Sequence, residues 1–480
     1  MVQEIPQDVI ENIFLYNKNY ISSLRSMSLV NRLWCNIGTK LLWMAPFSFC
    51  IDSSKLYKII SVYVSYLSPK SVKFLLESNI PKFPQSKTAF DYPSYLREID
   101  VKELHEAATE WVRYQYGENY YSDNNNIYYP SVQSTDTVVS DEDNDLSSND
   151  LDSDDEGDVT PSYIMHLVAE LCKVFISRSN KIVKLSIGDI SFHNDLFQDL
   201  PSYPNAKQCL SHLKILIYKR KILNGKFLRR LAKYSHNISN MIIDNYGHKS
   251  SDKSVKQLAN LIEKQKSLRK FSLEGTSYDN IGLSFDKEQI RFIMRILHKS
   301  NFPNLNCLHL SYYSRVKEYP FTDYFLQIMQ KVGEKLKSLT LEFYFKTNPY
   351  IIESIKDFCP NLRELSLTVG TAGGLEEFLD FLEHYNSTLY PRQILKSNND
   401  HLKLVKLSLK SIDNFLPIQQ MDWFISRHYI FELLKHFCHL PFKHLQYFSE
   451  QLELNQHIEI LGDYGQRMKT RKSINNFKIE

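Results

Sequence analysis

Two hydrophobic periods divide this chain of 480 residues. Near the N-terminus the period is helical. Ile5, Val9, Ile10, Ile13 and Phe14 recur at three- and four-residue spacing and predict a helix to about Tyr16 with one apolar face. Pro6 suits a first helical turn, and Asp8 and Glu11 lie near the positive end of that helix. After the polar break Asn17-Lys18-Asn19, a second apolar series runs through Ile21, Leu24, Met27, Leu29, Val30, Leu33 and Trp34. A third short unit carries Leu41, Leu42, Trp43, Pro46 and Phe47. Three short helices in about 45 residues cannot bury all of these side chains, and a domain this small usually needs a staple or a partner. Exposed apolar anchors for a partner are therefore expected here.

From about residue 180 the theme changes to apolar-x-x-apolar-x-apolar. Its copies are Ile182/Leu185/Ile187, Leu213/Leu216/Tyr218, Ile238/Met241/Ile243, Leu268/Phe271/Leu273, Leu305/Leu308/Leu310, Leu336/Leu339/Leu341, Leu362/Leu365/Leu367 and Leu404/Leu407/Leu409. Their middle residues are separated by 25 to 42 positions. Each copy predicts a short strand with alternate residues on an inward face. Helical stripes fill the intervals: Val255/Leu258/Leu261/Ile262, Ile290/Ile293/Ile296/Leu297 and Leu375/Phe378/Leu379/Leu382. Such a strand–helix unit cannot bury its apolar face alone, but stacked neighbours can. An α/β repeat array is expected over residues 161–415. An earlier fragment, Leu96/Ile99/Val101, reads as a first strand within 51–130. The stretch Met421 to Leu461 reads as a helical cap, followed by a basic tail with Arg467, Lys469, Arg471 and Lys472.

Charge sharpens this division. The net charge is +3, yet no Lys or Arg occurs from Tyr114 to Cys172, where 14 acids lie, so the remaining residues carry +17. Residues 131–160 have few apolar positions and no period, and are expected to form a disordered acidic insert inside the array. Ser140, Ser147 and Ser153 each precede an acid by three residues, a pattern that suits an acidophilic kinase.

The candidate chemistry is sparse. Seven cysteines with no CxxC pair argue against a zinc site or disulfide framework and for a reducing compartment, cytoplasm or nucleus. The first residues do not read as a signal peptide, and no window reads as a transmembrane helix. Gly370-Thr-Ala-Gly373-Gly374 lacks the Lys-Ser/Thr of a phosphate loop and reads as a tight turn. His428, His436, His439 and His444 surround Cys438 without zinc-ligand spacing. The basic residues are spread through every repeat, which disfavours a nucleic-acid surface. No catalytic residue, metal or cofactor is expected.

The N-terminal motifs resemble an F-box. Ile5-Pro6 stands for its Leu-Pro start, Ile13-Phe14 for its Ile-Phe pair, Leu24, Ser28-Leu29-Val30, Arg32 and Trp34 for its middle motif, and Leu42-Trp43 for its close. The style is typical of large fungal F-box families. The strand-helix unit is similar to a leucine-rich repeat, and "FPNLNCLHL" and "FCPNLRELSL" are typical of the repeats that follow an F-box. The family's Asn or Cys three residues after the last apolar motif position is missing. Ile190, Lys221, Tyr246, Thr276, Tyr313, Tyr344, Gly370 and Ile412 stand there, so an irregular array is expected.

The resemblance implies a three-helix F-box over 1–50 followed by an irregular leucine-rich-repeat solenoid. It implies the substrate-recognition subunit of a Skp–cullin–F-box ubiquitin ligase, or alternatively a non-catalytic repeat scaffold outside a ligase. Ile5, Pro6, Val9, Ile10, Ile13, Phe14, Leu24, Leu29, Val30, Trp34, Leu42 and Trp43 would hold the Skp adaptor or the F-box core. Cullin would follow through the adaptor. A target protein of unknown identity would meet the outward strand positions Lys184, Ser186, Ser272, Glu274, His309, Ser311, Thr340, Glu342, Ser366, Thr368, Ser408 and Lys410.

Overall fold

A computed structural model describes residues 5–18, 20–49, 55–78, 80, 83, 88–116, 162–188, 199–220, 223–244, 250–275, 287–312, 322–343, 354–355, 357–362, 364–369, 406–411 and 444–448. The acidic insert, the Gly370–Gly374 turn, the helical stripe at 375–382, Cys438 with its neighbouring histidines at 428, 436 and 439, and the basic tail lie outside the described residues. The chain divides into two compact units. One comprises residues up to Leu96 together with Val101–Ser179, and the other holds Arg97–Asp100, Asn180–Asp189 and the chain from Phe197.

The first unit is helical: α1 (Gln7–Tyr16), α2 (Ile21–Ser28), α3 (Arg32–Leu42), α4 (Leu56–Val64), α5 (Pro69–Glu77), α6 (Tyr92–Tyr95), α7 (Val101–Tyr116) and α8 (Ser162–Arg178). Pro6 enters α1 from an extended conformation as its N-cap. Asn31 caps α3 by accepting the Trp34 N–H at 2.9 Å, and Ser68 caps α5 ahead of Pro69. Ile10, Phe14, Leu24 and Ile37 form one buried cluster, with Met27, Trp34, Leu41 and Leu42 packed against it. Phe14 meets Trp34 edge-on at 5.6 Å. α3 approaches so closely at Gly38 that an added Cβ would stand 1.9 Å from Ser28 Oγ and 2.8 Å from Phe14 Cε1. A larger residue there would force the helices apart.

The expected domain edge at residue 50 is not a boundary between the two units. Trp43 packs edge-on against the buried Tyr63 of α4 at 5.4 Å and lies tilted, closer to stacked, over Tyr92 of α6 at 4.1 Å. Tyr63 in turn meets Phe175 of α8 at 4.7 Å. These aromatic contacts join the end of the three-helix cluster to α4, α6 and α8 within the first unit.

The second unit contains a ten-stranded parallel sheet whose strands pair in sequence order. They are β1 (Glu98–Asp100), β2 (Lys184–Ile187), β3 (Ile215–Lys219), β4 (Asn240–Asp244), β5 (Lys270–Gly275), β6 (Cys307–Tyr312), β7 (Ser338–Phe343), β8 (Glu364–Val369), β9 (Lys406–Ser411) and β10 (His444–Phe448). Helices α9 (Ala206–Leu210), α10 (Gly225–Tyr234), α11 (Asp252–Glu263), α12 (Lys287–Lys299) and α13 (Thr322–Val332) lie in the intervals. All eight middle residues of the sequence motif fall in one register row. Ile99 extends it at one end and Leu445 at the other. The row is fully buried wherever its side chains are described. The helical stripes at 255–262 and 290–297 fall on α11 and α12 and are buried, apart from the half-buried Ile296.

One expectation needs correction. β10 lies inside the stretch read as a helical cap. The run Leu445–Gln446–Tyr447 alternates as a strand does, but a run this short does not settle strand against helix by pattern alone. The expected irregularity lies in loops largely outside the described residues, whereas the described strands share one hydrogen-bonding pattern at their starts. At the start of strand after strand, two successive N–H groups donate to one carbonyl of the preceding strand: Val183 and Lys184 to Arg97, Lys214 and Ile215 to Val183, Ser239 and Asn240 to Lys214, and onward to Lys337 and Ser338 on Asn306. Buried polar side chains just after the helices satisfy backbone groups as well. Ser235, after α10, donates to Leu210 O at 2.8 Å. Gln265, after α11, donates to Ser235 O at 2.9 Å and accepts the Ile238 N–H at 2.9 Å. These side chains satisfy backbone groups at the repeat junctions.

Candidate functional site

Of the described residues, thirteen large apolar side chains are exposed, and ten of these lie between Ile5 and Met44. The other three are Phe74, Leu76 and Tyr114. Scattered single exposures need no explanation, but this concentration on one small helical segment does. The predicted adaptor set separates into two groups. Ile10, Phe14 and Leu24 are buried, and Trp34 and Leu42 pack on them as core. Trp43 is held by Tyr63 and Tyr92. Ile5, Pro6, Val9, Ile13, Leu29 and Val30 face solvent, with Leu29 86% and Val30 61% exposed.

The local sequence explains this separation. On α1, Ile10 and Phe14 stand four apart on the buried face, while Val9 and Ile13 stand four apart one residue earlier. A helix this narrow cannot bury both stripes against two neighbours. Leu29 and Val30 occupy the α2–α3 corner, where the backbone turns before the Asn31 cap and their side chains have no inward direction.

In the second unit, the sheet face opposite the buried row carries the predicted target-facing positions. They do not stand out uniformly. Ser186, Ser272 and Ser311 are buried and do not face solvent as the outward offsets predict. A short serine side chain is shadowed by longer neighbours on strands about 4.8 Å away. Lys184 is half-buried beside its register partner Glu98 at 3.4 Å. Glu274, His309, Thr340 and Ser366 are partly exposed. The side chains of Glu342, Thr368, Ser408 and Lys410 lie outside the described residues, although their strands are placed.

A polar cluster crosses β3 to β6 on this face. Ser272 Oγ donates to Glu274 Oε1 at 2.7 Å and lies 2.9 Å from His309 Nδ1. A carboxylate can only accept, so the serine proton points to Glu274 and the serine oxygen accepts from the His309 Nδ1–H. Lys219 Nζ approaches Asp244 Oδ2 at 3.6 Å. Burial, then the nearby Glu274 carboxylate, pushes the Asp244 carboxyl above its ordinary value. The cluster contains Ser, His and Glu but is not arranged as a nucleophile. Ser272 is only 1% exposed, and the acid and the hydroxyl share the same side of the imidazole.

Sequence reasoning overlooked Lys219, Asp244 and the half-buried Ile215, Ile217 and Ile242 on this face. The signal was present. Ile217, Ile242, Lys219 and Asp244 occupy the outward offsets in the Leu216 and Met241 copies that Ser272 and Glu274 occupy in the Phe271 copy, and Ile215 occupies the one before the middle residue. A cleft of about 280 Å³ between α11, α12 and α13 includes Asp252, Lys256, Glu288 and Arg291. Within it Arg291 bonds Glu288, and Gln289 donates to Asp252 at 2.8 Å.

No group of three or more His, Cys, Asp or Glu side chains among the described residues could hold a metal ion. No described helix is long and apolar enough to cross a membrane. In comparisons with known proteins, no family model and no curated protein matches this chain.

Proposed function

We propose that the chain is the substrate-recognition subunit of a Skp–cullin–F-box ubiquitin ligase, a leucine-rich-repeat F-box protein that binds the Skp adaptor through its first three helices. The observation that carries this reading is the set of exposed apolar side chains at Ile5, Val9, Ile13, Leu29 and Val30 on a segment that has its own closed core. A few large apolar anchors suffice to hold a partner in a helix-lined groove. The ordered parallel repeats supply the extended face for a target. The chain itself does no chemistry in this reading. It raises the effective concentration of the target near a ubiquitin-charged enzyme.

The test uses the exposed anchors, because Phe14 and Trp34 are core and their loss would unfold the segment. The full chain and a Leu29→Asp/Val30→Asp variant are each co-expressed with the Skp adaptor and cullin, then captured. The reading expects adaptor and cullin with the parent chain and neither with the variant. Absence of the adaptor from the parent chain sinks it. Adaptor without cullin favours the alternative, a repeat scaffold outside a ligase.

A further inference from the structure

The cleft between α11, α12 and α13 combines an apolar base with a charged rim. Val255 is buried, and Phe292 of α12 and Tyr324 of α13 are half-buried. Its volume of about 280 Å³ lies just under the roughly 300 Å³ at which ligand pockets begin, so it has room for one large side chain rather than a cofactor. Asp252, Lys256, Glu288 and Arg295 at the rim are exposed, so the cleft opens to solvent.

The charges are unevenly placed. Gln289 donates to Ser250 O at 2.7 Å and to Asp252 Oδ1 at 2.8 Å, and so ties the start of α12 to the start of α11. Both acids belong to those starts: Asp252 is the first residue of α11 and Glu288 the second of α12. Each already has a partner, Asp252 in Gln289 and Glu288 in Arg291. Two further cations stand along the helices, Lys256 about one turn beyond Asp252 and Arg295 about two turns beyond Glu288. Both are exposed, and neither forms an ion pair among the described residues. Arg295 also follows Arg291 by four residues, a like-charge spacing that weakens a helix. The cleft thus holds two uncompensated cations together with an aromatic-lined hollow.

We propose that this cleft docks an acidic peptide segment of a protein partner. One aromatic side chain of the segment enters against Phe292 and Tyr324, and a flanking carboxylate meets Lys256 and Arg295. Aromatic pairs gain beyond the area they bury, and a guanidinium addresses a carboxylate with two parallel N–H donors. Charge placement favours a peptide over a nucleic acid. A nucleic-acid strand carries a phosphate at every step, and Asp252 and Glu288 would repel those at their end of the cleft. A peptide can keep its acids at the Lys256–Arg295 end. The site goes beyond the ligase reading and does not rest on it.

The test is a saturation-transfer NMR titration of the full chain with acetyl-Gly-Asp-Phe-Glu-Gly-amide. Two counterparts separate the contributions: acetyl-Gly-Asn-Phe-Gln-Gly-amide lacks the charge, and acetyl-Gly-Asp-Ala-Glu-Gly-amide lacks the ring. The expected result is a dissociation constant for the acidic aromatic peptide that rises about fivefold in a Lys256→Gln/Arg295→Gln variant, and by a similar factor with either counterpart. Both substituted side chains are exposed, so the fold should be kept. Arg295→Gln alone, with a rise of about twofold, serves if the double variant loses its circular dichroism signal. No measurable binding to the parent chain, an unchanged constant in a folded variant, or equal binding of either counterpart overturns the site. Acidic peptide held at other basic parts of the chain is common to parent and variant, so it registers as the unchanged outcome. An oligothymidine that binds more tightly than the peptide and weakens in the same variant would make the cleft a nucleic-acid site and overturn the peptide assignment. The measurement contains no adaptor, so failure of adaptor capture and failure of this site are read separately.

Discussion

Replacing Phe14 with alanine tests whether the first helices have a core of their own. Phe14 is fully buried among Ile10, Leu24 and Ile37 and meets Trp34 edge-on. Truncating a buried phenylalanine to alanine costs about 3–5 kcal/mol, because transfer energy and cavity cost add. The edge-on aromatic pair contributes roughly 0.5–1.5 kcal/mol of its own. Gly38 already brings α3 close to Phe14 and Ser28, but relaxation toward the gap would have to move a whole helix, so little of the cost is recovered. A loss of about 4 kcal/mol is a large part of the roughly 5–15 kcal/mol that holds a domain.

Amide exchange followed by mass spectrometry on peptides covering α1 reads this directly. At about 1.4 kcal/mol per decade, protection should fall by about a thousandfold. Leu29→Asp/Val30→Asp, by contrast, alters exposed side chains and should change stability by no more than about 0.5 kcal/mol. If Phe14→Ala keeps α1 protection within tenfold, or if the Leu29/Val30 variant loses it, the division into core and exposed anchors is wrong.

Gln265→Leu removes the partner of the buried Ile238 N–H and of Ser235 O, and should cost about 2–4 kcal/mol in urea denaturation; a neutral result would mean that water replaces the amide. Asp244 has its carboxyl pKa raised by burial and by Glu274, so the folded state binds a proton more readily than the unfolded chain. Stability from this group is therefore present at low pH and declines as pH rises from the ordinary value of 3.8 through the raised one. Asp244→Asn should flatten the pH dependence of Tm in that window and raise Tm at neutral pH, and a variant Tm below the parent's at pH 7 contradicts this. Burial pushes the Cys172 and Cys359 thiols up to about 12. On the folded chain at pH 8, iodoacetamide should modify the half-buried Cys35 at least about a hundredfold faster than either, as read by peptide mass spectrometry.

The strand register was legible because it depends on local alternation. A residue such as Phe271 or Leu339 must point inward if its neighbours two positions away do, and eight copies of the motif reinforce one another. The first strand at Ile99 was legible for the same reason, although the acidic stretch separates it in sequence from β2. β10 was missed because a single five-residue alternation has no neighbouring copy to arbitrate between strand and helix. Gln265 and Ser235 were missed because their partners are backbone groups about 25 to 30 residues away, and residue type alone does not say that a polar side chain is buried.

The sequence by itself determined the two periods, the row of inward strand residues and the identity of the N-terminal apolar residues. Those follow from helix and strand geometry, which repeat every few residues. Only the tertiary structure decided which residues of that apolar list became core and which stayed exposed. Ile10 and Val9 are adjacent and equally apolar, and only the placement of α2 and α3 puts one at 2% exposure and the other at 43%. The same holds on the sheet, where packing buries Ser272 and Ser311 beside a partly open Glu274, because exposure depends on the length of the neighbours across the strand and not on the residue's own position in the motif.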